Sequence, residues 1–391
     1  MKANEDIIIN GRSLKDILDL HELFLITGGK EGERANLEGA NLQDVNLQYA
    51  NLQGANLVGA NLEYANLTGV NLEYANLEEA NLKSAKLEDA DLTCVNLKYA
   101  DLKYADLTGV VSIGACLEYA NLKDADLIGT CLENANLKEA NLKCANLEGT
   151  NLKYANLECA NLEGTNLEGV YLKRANLECA NLKEANLKCA NLYDAYLVGA
   201  NLECANLKDV DLEGVYLKRA NLEHANLEHA NLKCANLKDA NLKYANLECA
   251  NLKDVNLKRA NLYDAYLVGA NLENIIYNHT TLFYTLQCPE EGSFIGYKKA
   301  GKCIVKLEIL EHSKRSSATT RKCRCDKARV IDIENIETKE KMTEVASNRD
   351  KDFIYKVGEV VCVDDFNEDR WVEGTTGIHF FMTKYEAENY N

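Results

Sequence analysis

The chain has 391 residues, with 61 Asp plus Glu against 44 Lys plus Arg, for a net charge of −17. That length suits one long domain with smaller companions, and the acidic balance argues against direct nucleic-acid binding. No stretch of 18 apolar residues occurs, so no membrane-spanning helix is expected, and Met1-Lys2-Ala3-Asn4-Glu5-Asp6 does not read as the opening of a signal peptide.

Residues 1–34 read as a cap. Ile7-Ile8-Ile9 predicts a short strand, Ser13 stands at the N-cap of a helix from Leu14 to about Ile26, and Gly28-Gly29 ends it. Leu14, Ile17, Leu18 and Phe24 supply the apolar residues expected to cover the segment that follows. His21, between them, is read as a packed or solvated residue and not a catalytic one.

From Leu37 to Leu272 every fifth residue is Leu with one exception, a run of 48 pentads without insertion or deletion. The residue two before each of these positions is always Ala, Val or Thr, as in Ala35-Asn36-Leu37-Glu38-Gly39. A five-residue step turns a helix by about 140°, which scatters the leucines around its axis. In a flat strand an odd period sends them to alternate faces. The pattern fits short extended steps separated by turns, with Leu and the small residue inside, and such a fixed period means a stacked array. Ser112 replaces Leu within Val110-Val111-Ser112-Ile113-Gly114, and a local bulge or kink that keeps the register is expected there, against the alternative of a functional notch.

On these residues, 35–274 resemble the pentapeptide-repeat family, and Leu20–Leu25 with Gly28, Gly29, Gly32 and Arg34 resembles the lead-in to other such arrays. The resemblance implies a mainly β chain: a right-handed, quadrilateral β-helix with four pentads per coil and about 12 coils, ~58 Å at the usual strand spacing. Of fifteen cysteines, eight occupy the last, outward pentad position, and among these only Cys159 and Cys179 stand one coil apart. That placement makes cysteine a small filler in a reducing compartment. A cytoplasmic protein is expected, in the host-cell cytoplasm or the virion if the source is viral.

Some members of that family mimic DNA and inhibit topoisomerases. Residues 35–274 hold 34 acidic and 21 basic side chains, a net of −13, whereas duplex DNA of that length carries roughly 34 phosphates and no cations. Lys83, Lys103, Lys123 and Lys143 share one column with Glu163, Glu203 and Glu223, a mixed surface that mimicry does not predict. Tyr171–Glu178 recurs 45 residues on and Asn191–Gly199 recurs 70 residues on. Neither offset is a multiple of 20, so a site confined to one face would not survive such copying. His224 and His229, five apart, project from adjacent sides and make a poor metal pair.

From about Thr280 the pentads stop and β-branched and aromatic residues rise. Ser293–Tyr297, Lys302–Leu310, Ala328–Ile333, Phe353–Val363 and Ile378–Phe381 predict strands, and Thr383-Lys384-Tyr385-Glu386 opens a last helix as a capping box. A small α+β domain over 280–391 follows, after an array domain over 35–279. Cys288–Tyr297, the basic run Arg315–Arg329, Asp369-Arg370-Trp371 and Gly377–Phe381 resemble the C-terminal domain attached to pentapeptide arrays in phages and giant DNA viruses, a domain of no established activity. Cys288, Cys303, Cys323, Cys325, Cys362, His312 and His379 are the potential metal ligands, but no CxxC pair occurs, and packed or exposed reduced thiols are expected. Arg321, Lys322, Arg324, Lys327 and Arg329 form the candidate anion- or partner-binding cluster, against the alternative of a solvated face. Gly377-Ile378-His379-Phe380 with Ala387 and Tyr390 resembles the strand-then-helix element of ADP-ribosyltransferases, which place Tyr where His379 stands and a catalytic Glu on a later strand.

These readings converge on a non-catalytic structural or interaction scaffold with no catalytic, cofactor or metal residues. Its partner is expected to be a protein, a homodimer is an expected assembly, and recognition falls to the C-terminal domain. DNA mimicry is the alternative, and an unrecognised enzyme in the tail comes third. An enzyme predicts a pocket that holds His379 with other polar groups.

Overall fold

Every pentad brings five backbone N–H groups, and a stacked coil must satisfy all of them. In the computed structural model, which describes residues 6–390, Ala55-Asn56-Leu57-Val58-Gly59 shows how. Asn56 N–H donates to Ala35 O at 3.0 Å, Leu57 N–H to Asn76 O at 2.7 Å and Gly59 N–H to Glu78 O at 2.8 Å, all between coils. Ala55 N–H closes a tight turn onto Leu52 O at 2.9 Å, and Val58 N–H donates to the Asn56 side-chain oxygen at 3.3 Å. The same pattern recurs along the array. It also explains the asparagine: its Oδ1 takes the one N–H that no carbonyl reaches. Its Nδ2 donates to the Asn one coil back, as from Asn56 to Asn36 at 3.0 Å.

Parallel pairing runs from Asn36↔Asn56 to Asn256↔Ile276 in steps of 20 residues, so four pentads complete each coil. Leu and Ala stack inside and are buried almost throughout. The last pentad residue lies in the left-handed region, with φ +62° at Gly59, +57° at Asp124, +57° at Tyr64 and +58° at Cys144. Glycine and aspartate tolerate that conformation, while Tyr and Cys adopt it at a cost of about 1 kcal/mol. The bulge expected at Val110–Gly114 does not form. Ser112 is buried, its N–H donates to Cys131 O at 2.8 Å, and the Asp91↔Val111↔Cys131 pairing passes through without a shift. A bulge needs an extra residue, and this pentad has none.

The chain divides into two units, one of residues up to Ala260 with Gly269–Tyr277, the other of Asn261–Val268 with the residues from Asn278 on. The first unit begins with a hairpin, β1 (Ile8–Ile9) and β2 (Arg12–Ser13), and helix α1 (Leu14–Ile26). Ser13 Oγ accepts the Asp16 N–H at 3.1 Å as the N-cap. Leu14, Ile17 and His21 are buried along α1, while Leu18 and Phe24 are half-buried. His21 is packed: its Nδ1 accepts the N–H of Ala35 at 3.1 Å. Burial lowers its pKa. Gly32 has φ +79°, and a Cβ there would meet Leu20 O at 2.2 Å, so no other residue fits.

The second unit builds a four-stranded antiparallel sheet from β3 (Phe294–Ala300), β4 (Cys303–Ile309), β7 (Lys327–Asn335) and β10 (Val360–Cys362), in the order β10-β7-β4-β3. A three-stranded sheet orders β11 (Ile378–Phe380), β6 (Cys323–Cys325) and β5 (Arg315–Ser317), and β8 (Glu344–Ala346) pairs with β9 (Ile354–Lys356). Reciprocal 2.8 Å bonds between Tyr297 and Phe381 join the two larger sheets edge to edge. The single strand expected over Phe353–Val363 is instead two, β9 and β10, in different sheets. Gly358, at φ +89°, turns the chain between them. Helix α2 (Lys384–Asn389) carries the full capping box on Thr383 and Glu386. Asn261–Val268, still in pentad register, packs within this unit: Asp264 N–H donates to Thr319 O at 2.9 Å, and Thr319 Oγ1 to Ala265 O at 2.6 Å.

Candidate functional site in the C-terminal unit

Alternation along β3 puts Phe294, Gly296, Lys298 and Ala300 on one face, opposite Ile309, Leu307, Val305 and Cys303 of β4, all core residues. Lys298 therefore occupies a position where period two calls for an apolar residue. Its Nζ donates to His379 O at 3.2 Å, on β11. Gly296 lacks a side chain because the Phe380 ring lies over it, only 2.6 Å from where a Cβ would stand.

Lys298 opens into a cavity of about 650 Å³. Lys322, Arg349 and His379 line it with Lys298, and Phe353, Tyr355 and Phe381 supply aromatic wall. Lys322 Nζ lies 3.0 Å from the Tyr390 hydroxyl, and Arg349 Nη1 donates to Gly374 O at 3.3 Å. Among the described residues, none of Lys298, Lys322 and Arg349 has a carboxylate within ion-pair distance. Burial, then the neighbouring charges of Lys322 and Arg349, hold the Lys298 ammonium down to about 8. Burial likewise lowers His379 to about 4, so its ring is neutral near pH 7. Its Nε2 lies 3.2 Å from Glu373 O, and since a carbonyl only accepts, that nitrogen carries the proton and Nδ1 is left as an acceptor. Burial raises Glu373 itself, which accepts from Thr320 Oγ1.

The basic cluster expected at Arg321–Arg329 does not share one face. Arg321 pairs with Glu386 at 2.6 Å and Arg329 with Glu308 at 3.4 Å, while Lys327 is half-buried on β7 opposite Cys362. Arg324 is 2% exposed and leaves the candidate set. Its guanidinium donates to the carbonyls of Asn367, Asp369 and Val372 and stacks near Phe366, which fastens the 366–372 segment. Only Lys322 of the five reaches the cavity. Strand alternation is the reason: Cys323 and Cys325 point into the core and Arg324 to the other side. Lys298 and Arg349 went unrecognised in the sequence. The inward register of Lys298 was a readable sign, whereas nothing marked Arg349.

A family model described as pentapeptide repeats matches 35–73, 75–111, 113–143, 130–169, 165–203, 205–243 and 235–274. A model described as a family of unknown function (DUF5758) matches 284–387. No curated protein sequence matches this chain. Among solved structures the chain is similar to HetL of the cyanobacterium Nostoc, described as a pentapeptide repeat protein involved in heterocyst differentiation regulation. Identity is 31%, over 60% of this chain and 89% of that one, with a TM-score of 0.21. It is similar to Rfr23, a pentapeptide repeat protein of the cyanobacterium Cyanothece, at 31% identity over 31% of this chain and 88% of that one, TM-score 0.17. QnrB1, described as a plasmid-mediated fluoroquinolone resistance protein, is 16% identical over 46% of this chain and 89% of that one, TM-score 0.31.

Proposed function

The chain belongs to the pentapeptide-repeat family, and from that premise we propose that it is a non-catalytic interaction scaffold whose specific recognition of a protein partner falls to the C-terminal domain. The family's fold is a right-handed β-helix, and the array surface carries the reading. Its outward charges pair from coil to coil: Lys143 with Glu163 at 2.9 Å, Lys183 with Glu203 at 3.0 Å, Lys208 with Glu228 at 2.9 Å and Lys233 with Glu213 at 3.1 Å. Exposed pairs of this kind add little stability. What they do is give the outer surface both signs of charge within a net of −13, a mixed face that mimicry of DNA does not predict. The cavity does hold His379 with other polar groups, the feature expected of an enzyme in the tail, so that third reading is tested by an activity screen of the full chain against its His379→Gln variant. All fifteen cysteines are free, which supports a reducing, cytoplasmic setting, to be checked by cell fractionation.

Removing 141–180 excises 40 residues, two whole coils, and restores the same faces on either side. Full-length protein and this deletion are each used to capture partners from source-cell lysate. A scaffold array predicts that the same partner is retained by both. Loss of the partner on deletion would place recognition on the array. Dose-dependent inhibition of a topoisomerase by the full chain would revive mimicry.

A further inference from the structure

We infer that the cavity of the C-terminal domain binds a small phosphate monoester carrying an aromatic body, a mononucleotide being the simplest ligand of that kind. This deepens the preceding reading, in which recognition falls to this domain, and it is tested by ligand binding and not by partner capture.

In this unit Lys384, Lys341 and Arg321 meet carboxylates, at 2.5 Å from Glu334, 2.5 Å from Asp332 and 2.6 Å from Glu386, while Arg315 and Arg324 donate to main-chain carbonyls that they tie together. Lys298, Lys322 and Arg349 donate to a carbonyl, a phenol and a carbonyl, and the two lysines lie over the Tyr355 and Tyr390 rings at 5.8 and 5.1 Å. They border one recess, where three cations face a single lining carboxylate, Asp350, and leave an excess of positive charge. Asp350 offsets one of the three charges, and its Oδ1 also accepts the Asp352 N–H at 3.0 Å. A carboxylate ligand would offset one charge, whereas a phosphate monoester brings about −1.5 to −2 at pH 7.

Shape supplies the rest. The volume lies within the usual range of roughly 300–1,000 Å³ for small-molecule sites. The half-buried Phe353, backed by the buried Tyr355 and Phe381, gives the recess an aromatic wall suited to a planar group. The neutral His379 ring adds an acceptor without adding a fourth charge. The four polar residues come from β3, the segment before β6, the β8–β9 loop and β11, so the site exists only in the folded domain.

The test is calorimetric titration of the full chain with AMP, adenosine and inorganic phosphate. AMP is expected to bind one site at least tenfold more tightly than either of the other two. Lys322→Ala and Arg349→Ala are each expected to weaken AMP at least tenfold with little change in Tm. Lys298→Met is expected to lose AMP while melting no earlier than the parent, which separates a lost site from a lost fold. AMP that binds no more tightly than adenosine, AMP binding indifferent to Lys322→Ala and Arg349→Ala, or no AMP binding at millimolar concentration overturns the inference. Any of these leaves the scaffold reading standing, and a failed partner capture with AMP binding intact does the reverse.

Discussion

At the scale of single residues, the array tolerates change where the backbone accounting is preserved. Thr130, Thr150 and Thr165 stand at the buried small position, and each hydroxyl donates to a Leu carbonyl 23 residues back, at 2.9, 2.7 and 2.9 Å. Those carbonyls already accept a turn N–H, as Leu127 O does from Thr130. Thr150→Val keeps the shape and leaves Leu127 O bonded, so a loss under about 1 kcal/mol is expected on chemical denaturation. Leu142→Ala is different. Its side chain is fully buried between neighbouring coils, and a stack held at a fixed spacing has little freedom to collapse. A cost of about 3–5 kcal/mol is expected in the same measurement. Lys298→Met should move the other way. Its ammonium is held near 8 in the folded chain, so removing that charge is expected to stabilise by about 1–2 kcal/mol at pH 7, read as a higher Tm.

At the scale of elements, two segments depend on one side chain each. Arg324 holds three carbonyls of the segment between β10 and β11, and its replacement by alanine leaves those acceptors without their donor. Limited proteolysis of Arg324→Ala is expected to cut first within 366–377, ahead of global unfolding. Strand β11 carries His379, whose folded pKa of about 4 lies below the ordinary 6.5. The folded state thus favours the neutral ring. Its contribution to stability is complete above about pH 6.5 and is lost as pH falls toward 4, because the unfolded chain binds the proton first. Melting of this unit should therefore decline between pH 7 and pH 5, and His379→Gln should flatten that decline. An unchanged slope in the variant would remove His379 as its source.

At the scale of the whole molecule, the repeat is the unit of change. Nearest-neighbour stacking makes stability close to a sum over coils, and every side of a coil uses the same interior residues. Deletion of 141–180 is expected to fold with unchanged β-type circular dichroism and a modestly lower Tm. Deletion of 141–148, eight residues, shifts Leu out of register and is expected to leave the chain insoluble or partly unfolded. The internal copies at offsets of 45 and 70 residues are multiples of five and not of 20. They obey the first rule and ignore the second, as a scaffold permits.

Much of this was legible without coordinates. The pentad register, the inward Leu and Ala, the Ser13 cap and the Thr383–Glu386 capping box follow from local spacing, because each is set by residues within five positions of one another or by an identical neighbour. The purpose of the asparagine needed the coil geometry, since its oxygen serves its own chain and its amide serves the next coil. The basic run was misread because closeness in sequence places strand neighbours on opposite faces, so Arg324 is buried and Arg321 and Arg329 face separate carboxylates. The cavity joins Lys298, Lys322, Arg349 and His379 across 81 positions of chain. The array was determined by the sequence itself, since a periodic chain repeats one local solution. The cavity was decided only by tertiary structure, since nothing local to any one of its four residues specifies the other three.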